Sequence, residues 1–160
     1  MPRRTLPDLA DGTTVEVPNL GPVTVTERLG SGSFGAVYAV TDAAGQQLAM
    51  KVEAPVEAGG FSQLAHEHKV YGMLGSASCV PRVHGFSRGR DDAPTYLVMD
   101  RLGQNLDAVV KNAPRGRLPL RYVCIIGIRV VQRLRELHGR GLLHRDIKPA
   151  NFLLGGSGER

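Results

Sequence analysis

Short runs of alternating apolar and polar residues fill much of the first hundred positions, and this alternation predicts β-strands. Turn residues interrupt the runs, for example at Gly45 and Gly59. The predicted strands are a run beginning at Val23, then Ala36–Val40, Gln47–Val52, Val83–Phe86 and Tyr96–Asp100. The first 12 or so residues are rich in Pro, Asp and Arg, and we interpret them as a flexible lead-in.

Two segments show helical periodicity. The first runs from Ser62, a plausible N-cap, to Leu74, with its larger side chains along one side. The second, Leu120–Leu137, is apolar except for one stripe of polar residues at helical spacing. A helix that is apolar over most of its circumference belongs inside a larger assembly. Only about twenty residues follow it, so we expect the elements that cover it to be missing.

Composition places the chain among globular proteins of one ordinary domain. It has 160 residues, of which 42% are hydrophobic and 22% charged. The net charge of +5 favours anionic partners without specifying one. Two cysteines, Cys79 and Cys124, are too few for a disulfide framework and predict packing thiols in a reducing, intracellular setting. We find no signal peptide and no apolar run of membrane-spanning length, so we expect a soluble protein of the cytoplasm or nucleus.

A glycine-rich loop lies between the first two predicted strands. Its pattern also marks dinucleotide-binding folds, in which the glycines open a helix. Here a strand-like run follows, which favours a hairpin whose backbone folds over phosphates, although a hairpin without a ligand remains open. The segment reads Gly30-Ser31-Gly32-Ser33-Phe34-Gly35, with Val37 two residues beyond, and Phe34 at the tip would shield phosphates from water.

A lysine on the third predicted strand is followed sixteen residues later by a glutamate on the predicted helix: Lys51 and Glu67. A lysine in a buried strand is costly to desolvate unless it is paired. Glu67 would hold the ammonium and leave donors free for phosphates. The alternative is a surface lysine and a solvated glutamate, and the pair gains weight only from the other motifs.

The segment His144-Arg145-Asp146-Ile147-Lys148-Pro149-Ala150-Asn151 carries the strongest signal. A chance match to its six fixed positions has odds of roughly one in 20⁶ per starting position. Phosphoryl transfer requires mainly positioned groups and neutralised charge. Asp146 is placed to accept the proton of an attacking hydroxyl, and Lys148 to offset charge on the phosphoryl group. Asn151 offers Mg²⁺ a neutral oxygen, the ligand type that it prefers.

These motifs together resemble those of the protein kinase superfamily, over residues from about 23 to 158. Lys148 after His-Arg-Asp is typical of serine/threonine kinases. The chain is most similar to the casein kinase I group, and Pro114-Arg115-Gly116 is similar to its tau-tubulin kinase branch. The motifs that carry this resemblance are Leu29–Gly35, Gln63-Leu64-x-x-Glu67-x-Lys69-Val70-Tyr71, Met99-Asp100-x-Leu102-Gly103-x-x-Leu106 and His144–Leu153.

The resemblance implies an α+β protein kinase-like fold. Residues 1–22 would be an extension and 23–102 an ATP-binding N-lobe of five antiparallel strands and one helix. Residues 103–160 would be a partial, mainly helical C-lobe. The resemblance also implies that Asp146, Lys148, Lys51 and Glu67 are catalytic and that Asn151 is a metal ligand. It further implies a set of residues that would hold ATP with Mg²⁺: the glycine loop, Val37, Ala49, Lys51, Met99 as gatekeeper, Asp100, Leu102 as hinge and Leu153. Asp107 would reach the ribose.

The family's next motif, Asp-Phe-Gly, supplies its principal Mg²⁺ ligand and does not occur in these 160 residues. We therefore expect a chain truncated after the catalytic loop that has little or no activity by itself. The leading interpretation is a protein kinase, monomeric if complete, that acts on Ser or Thr of protein substrates. Its rival is a non-catalytic module that binds nucleotide or a partner. A nucleic-acid-binding role would rest on charge alone, and neither nucleic acid nor a membrane is an expected partner.

Overall fold

The structure is a computed structural model that describes residues 6–32, 35–57, 59–90 and 92–155. The chain divides into two compact units. The sheet unit comprises Met1–Met73 with Arg82–Arg101, and the helical unit comprises Leu74–Pro81 with Leu102–Arg160.

The sheet unit is built on one antiparallel sheet of six strands, in the order β1-β2-β3-β4-β6-β5. One helix, α1, lies between β4 and β5 along the chain. The elements are β1 Thr14–Val17, β2 Gly21–Gly32, β3 Gly35–Asp42, β4 Gln47–Glu53, α1 Gln63–Leu74, β5 Val83–Ser87 and β6 Thr95–Asp100.

The predicted count of five strands was wrong because β1 lies inside the predicted N-terminal extension. It is only four residues long, with Val15 and Val17 buried and the two residues between and before them exposed. One alternation of this length is a weak sequence signal. β2 also begins at Gly21, before the predicted start at Val23.

The two faces of the sheet carry separate apolar clusters. One face buries the largest side chains, including Tyr38, Leu48 and Met50, none of which is exposed. The other face carries Ala49, Leu97 and Met99 against Leu64 of α1. Because residues alternate between faces along a strand, β4 places Ala49 and Lys51 on the side that α1 covers. This alternation brings α1 to the face on which the candidate site lies.

The helical unit contains α2 Leu106–Asn112 and α3 Leu120–Gly139, with short 3₁₀ turns at Pro114–Gly116 and Pro149–Asn151. The prediction of a helix over Leu120–Leu137 is confirmed, with two further residues at its end. No residue of α3 is buried, and Leu120, Ile128 and Val131 are each more than half exposed. Within the described ranges no helix is long and apolar enough to cross a membrane.

The polar stripe of α3 holds the segment 74–81. Glu136 accepts hydrogen bonds from the backbone N–H and the hydroxyl of Ser78, at 2.9 and 2.8 Å. Arg133 donates to the same hydroxyl, and Arg140 donates to the carbonyl of Leu74 at 2.9 Å. Both arginines remain exposed, and their partners lie more than fifty residues away in the chain.

The two cysteines are free thiols. Cys79 is partly buried, whereas Cys124 is exposed on α3. The prediction of a packing role is therefore wrong for Cys124, because the apolar side of α3 that carries it is uncovered among the described residues.

Two glycines of the loop give a matched test of the hairpin. A Cβ on Gly35 would overlap the carbonyl oxygen of Val52, and its φ of 153° is unfavourable for other residues, whereas a Cβ on Gly30 meets nothing within 4 Å. We expect Gly35→Ala to lower the free energy of unfolding by about 2 kcal/mol or more and Gly30→Ala by less than about 1 kcal/mol. Urea unfolding followed by circular dichroism measures both, and equal losses would contradict the described strand pairing.

Candidate active site

An ion pair joins β4 to α1 in the sheet unit. Lys51 Nζ of β4 lies 2.5 Å from Glu67 Oε1 of α1. The side chains are 33% and 30% exposed, so water reaches the pair without surrounding it. Leu64, buried against the sheet one turn earlier in α1, fixes the helix face that Glu67 shares. The structure therefore brings together the two residues that the spacing paired.

Tyr71 is a third member of this group. Its hydroxyl donates to the same Glu67 oxygen at 2.9 Å, from one helical turn further along α1. Burial, and then the neighbouring carboxylate, raises the pKa of Tyr71 far above its ordinary value, so it stays a neutral donor. Tyr71 had no predicted role, although its spacing of four residues from Glu67 was a usable signal.

The predicted ATP-binding residues Val37, Ala49 and Met99 of the sheet unit share the face of Lys51. Val37 lies opposite Lys51 in the pairing of β3 with β4, and Ala49 lies opposite Met99 in the pairing of β4 with β6. Val37 packs against the cluster that contains Ala49 and Met99. The result is an apolar surface beside a paired ammonium group.

Asp100, another predicted binding residue, has its carboxylate engaged elsewhere. It accepts a hydrogen bond from the backbone N–H of Arg82 at 2.8 Å, and its other oxygen lies 2.6 Å from His84 Nε2. These contacts hold the end of β6 to β5. Any contact of Asp100 with a nucleotide would therefore involve its backbone and not its carboxylate.

The glycine loop joins two paired strands. Gly30, Ser31 and Gly32 end β2, Gly35 begins β3, and Gly32 pairs with Gly35 across the hairpin. This confirms a hairpin and excludes the dinucleotide-binding arrangement, in which the glycines would enter a helix. The predicted binding residues Ser33 and Phe34 lie outside the described residues.

Asp146 in the helical unit is held by the two residues predicted to work with it. Lys148 Nζ lies 2.8 Å from Asp146 Oδ2, and the Asn151 amide nitrogen donates to the same oxygen at 2.9 Å. That nitrogen also donates to the backbone carbonyl of Asp146 at 2.8 Å. The hydrogen bond from Lys148, followed by that from Asn151, lowers the pKa of Asp146 below its ordinary value. The carboxylate is therefore ionised at neutral pH, and its side chain is 61% exposed.

The backbone around Asp146 makes a tight turn. Arg145 has a φ of 63°, a left-handed conformation that is unfavourable for residues other than glycine. The N–H of Asp146 donates to His144 Nδ1 at 3.3 Å, and the His144 ring stacks on Phe152 at 5.5 Å. Strain of this kind is concentrated at functional sites, where the surrounding structure over-determines it.

The segment after the turn pairs with the start of α2. Leu153 bridges to Asn105, and the N–H of Leu154 donates to the carbonyl of Gln104 at 2.9 Å. Asn105 also caps α2 by accepting from the N–H of Ala108 at 2.8 Å. Leu153 and Leu102, both predicted nucleotide contacts, therefore belong to the helical unit. The predicted ribose contact Asp107 forms an exposed ion pair with Lys111 at 2.8 Å.

Comparison with known families and structures decides the classification. The family description "Protein kinase domain" matches residues 23–159. The chain belongs to the protein kinase family. A solved chain entitled "Structure of vaccinia related kinase 3" superimposes with a TM-score of 0.76 over 95% of this chain, at 17% sequence identity. This chain spans 49% of the length of that one, and at such identity the likeness shows the shared kinase fold alone.

The family's Mg²⁺ can be tested against the donors of this kinase chain. Both described bonds of Asn151 use its amide nitrogen, which leaves the amide oxygen to ligate, and Asp146 adds a carboxylate five residues away. Hard oxygens in small number fit Mg²⁺, which keeps waters and takes phosphate oxygens. Across the described ranges no group of three or more His, Cys, Asp and Glu side chains could enclose a metal ion. The residues thus fit a site in which Mg²⁺ is held jointly by protein oxygens, phosphate oxygens and water, and not a site made by the protein alone.

Glu53, His84 and Asn105 had no predicted role, and Asp100 was predicted to bind nucleotide and not to join strands, because each acts through another residue. Glu53 contacts the start of α1, Asp100 and His84 join β5 to β6, and Asn105 caps α2. For Glu53 a signal existed, since it stands two positions after Lys51 and therefore on the same side of β4. The partners of Asp100 could not be read from the sequence without the strand pairing.

The lowered pKa of Asp146 gives a direct test of the loop geometry. We expect Lys148→Met to move the titration midpoint of this carboxyl upward, toward the ordinary aspartate value, because the first cause of the lowering is removed. The paired carboxylate stabilises the folded loop above the ordinary aspartate pKa, and this contribution disappears as pH falls through the lowered value. Carbon-13 NMR of the Asp146 carboxyl measures the midpoint.

Lys111→Met is the matched control, because Lys111 makes an exposed pair of the same length with Asp107. It should leave the midpoint of Asp146 unchanged. If wild type and Lys148→Met titrate together at the ordinary value, the described contact does not form in solution.

Proposed function

We propose that this chain is the nucleotide-binding part of a serine/threonine protein kinase similar to the casein kinase I group. It would transfer the γ-phosphoryl group of ATP to Ser or Thr hydroxyls of protein substrates. The observation that carries the proposal is the ionised Asp146 carboxylate held by Lys148 and Asn151. An aspartate kept charged and oriented beside a lysine suits acceptance of a hydroxyl proton next to a phosphoryl group.

Asp146 has the role of general base in this proposal. Both donors to its carboxylate in the described structure use Oδ2, so Oδ1 would be the oxygen that accepts the proton of a substrate hydroxyl. Its lowered pKa keeps it unprotonated at neutral pH, as a base must be. Lys148 would exchange its contact with Asp146 for the transferring group, where its charge offsets the negative charge that develops.

Lys51 and the apolar face would position the nucleotide. The Glu67 carboxylate takes one donor direction of the Lys51 ammonium, which leaves the others for phosphate oxygens. Val37, Ala49 and Met99 offer an apolar surface that suits a purine ring. The backbone N–H groups of the glycine hairpin would cover the phosphates. When bound, Mg²⁺ supplies charge neutralisation of the phosphates, and Asn151 would help to hold it.

The serine/threonine and casein kinase I assignments rest on sequence likeness. Lys148 stands two positions after Asp146, as is typical of serine/threonine kinases. The helix motif around Gln63 and Glu67, and the Met99-Asp100-x-Leu102-Gly103 motif, support the casein kinase I group. The cytoplasm or nucleus is the proposed location, since the two thiols are free.

A second candidate function is a binding module without turnover. It is favoured by the exposed apolar side of α3. Exposed apolar patches of this kind mark interaction surfaces. In this case the chain would hold nucleotide or a partner while Asp146 transfers nothing.

A phosphoryl-transfer assay tests the kinase proposal. A polypeptide that joins these residues to an Asp-Phe-Gly segment should transfer ³²P from γ-labelled ATP to a protein substrate, and acid hydrolysis should yield phosphoserine or phosphothreonine. Asp146→Asn should lower the rate by about 10³-fold, because the general base is lost. We expect no measurable turnover and weak Mg·ATP binding from the 160 residues alone, since the principal Mg²⁺ ligand of the family is not among them.

Asp11→Asn is the control for Asp146→Asn, because Asp11 is an exposed aspartate outside the proposed site. It should leave the rate of the longer polypeptide unchanged. Nucleotide binding without transfer in that polypeptide would favour the binding module. Transfer to tyrosine would contradict the serine/threonine assignment, and transfer by Asp146→Asn at the unchanged rate would contradict the role of the base.

A further inference from the structure

A buried carboxylate outside the proposed chemistry joins β4 to α1. Glu53 is 7% exposed and stands two positions after Lys51. It accepts hydrogen bonds from the Ser62 hydroxyl at 2.5 Å and from the backbone N–H of Gln63 at 2.7 Å. A buried charge is costly unless it is paired with donors, and here each carboxylate oxygen has one.

Ser62 connects this carboxylate to the helix. It is also 7% exposed, and its hydroxyl oxygen accepts from the N–H of Ala65 at 3.1 Å while its proton goes to Glu53. The serine is therefore the N-cap of α1, and Glu53 places a negative charge at the positive end of that helix. Both effects favour this position of the helix start.

The Glu53 contact and the Lys51–Glu67 ion pair are separated by nearly the same distance along β4 as along α1. On β4, Lys51 and Glu53 are two residues apart, which is about 7 Å along a strand. On α1, Gln63 and Glu67 are four residues apart, which is about 6 Å along a helix. The two elements thus meet at two points at nearly equal separations, Glu53 with Gln63 and Lys51 with Glu67. A helix held at two such points can neither slide nor turn without breaking one of them.

We propose that Glu53 and Ser62 form a clamp that positions Glu67 against Lys51, so that both are positioning residues for the paired lysine. Only the importance of the clamp for phosphoryl transfer rests on the proposed kinase function. The geometric claim, that loss of the clamp displaces Glu67 from Lys51, stands independently. An N-cap that merely stabilised α1 would instead leave the ion pair in place wherever the helix is folded.

Zero-length cross-linking measures the ion pair directly. A water-soluble carbodiimide activates the Glu67 carboxyl, the Lys51 amine attacks the carbonyl carbon, and the urea leaves, so that an amide forms with net loss of one water to the carbodiimide. Mass spectrometry of the digested 160-residue chain gives the yield. We expect Ser62→Ala and Glu53→Gln to lower the Lys51–Glu67 yield by roughly threefold or more, because such amide formation needs close contact. Ser62→Thr, which keeps a capping hydroxyl, should retain the wild-type yield.

Two controls separate positioning from loss of stability. The exposed pair Lys111–Asp107, at 2.8 Å in the helical unit, should cross-link equally in every variant. Val23→Ala removes buried volume from the opposite face of the sheet and should destabilise the sheet unit while keeping the Lys51–Glu67 yield. If Ser62→Ala does not fold, the conservative Glu53→Gln carries the test.

The expected pattern is a loss in Ser62→Ala and Glu53→Gln, with full yield in Ser62→Thr and Val23→Ala. An unchanged yield in folded Ser62→Ala and Glu53→Gln would overturn the clamp, as would an equal loss in Val23→Ala. Failure of the kinase proposal gives a different result, since nucleotide binding or transfer would then be missing while the cross-link pattern remains as expected.

Discussion

The contact between Lys51 and Glu67 is the interaction on which the candidate site depends. A lysine facing a helix-covered surface of the sheet is tolerated because a carboxylate lies beside its ammonium, and the same carboxylate accepts from Tyr71. Partial exposure limits the stability that such a pair provides. The main effect of the contact is therefore orientation, since Lys51 and the Tyr71 hydroxyl together fix the Glu67 carboxylate. The apolar surface of Val37, Ala49 and Met99 has one charged edge, because the Lys51 ammonium lies beside it.

Around Asp146 the charges are reversed, because here a carboxylate is held by a lysine and an amide. Asp146 is an exposed carboxylate, and its neighbours Lys148 and Asn151 both lie within five residues of it. Orientation here comes from a backbone turn with a left-handed Arg145, from the stacked His144, and from pairing of the following segment with the start of α2. In the sheet unit a long-range contact orients the key charge, whereas in the helical unit local backbone geometry does so.

The difference between long-range and local orientation of the charged groups explains how much of the site could be predicted from sequence. Asp146, Lys148 and Asn151 are close in the chain, so one short motif was enough to select them, and the strands and helices of regular pattern were also predictable. Ser62 as the cap of α1 was confirmed by its contact with Ala65. Lys51 and Glu67 are sixteen residues apart, and only the combination of strand and helix patterns linked them.

The errors arose where a contact between distant segments decides a residue's environment. β1 is too short to be distinguished by its own alternation and is defined by its pairing with β2. The contacts of Arg133 with Ser78 and of Arg140 with Leu74 join residues more than fifty positions apart, so they could not be read from the sequence. Glu53 had an ordinary place in its strand, and its role appears only when the start of α1 lies against it.

Binding of nucleotide to the face of the sheet that α1 covers is the central claim, and methyl NMR of two methionines tests it most directly. Met99 lies on that face with Ala49, whereas Met50 is fully buried on the opposite face. On titration of the 160-residue chain with Mg·ATP, the account predicts weak but saturable binding, seen as a shift of the Met99 methyl resonance that becomes smaller in Lys51→Ala, with little change at Met50. No shift at Met99, or equal shifts at both methionines that Lys51→Ala leaves unchanged, would contradict it.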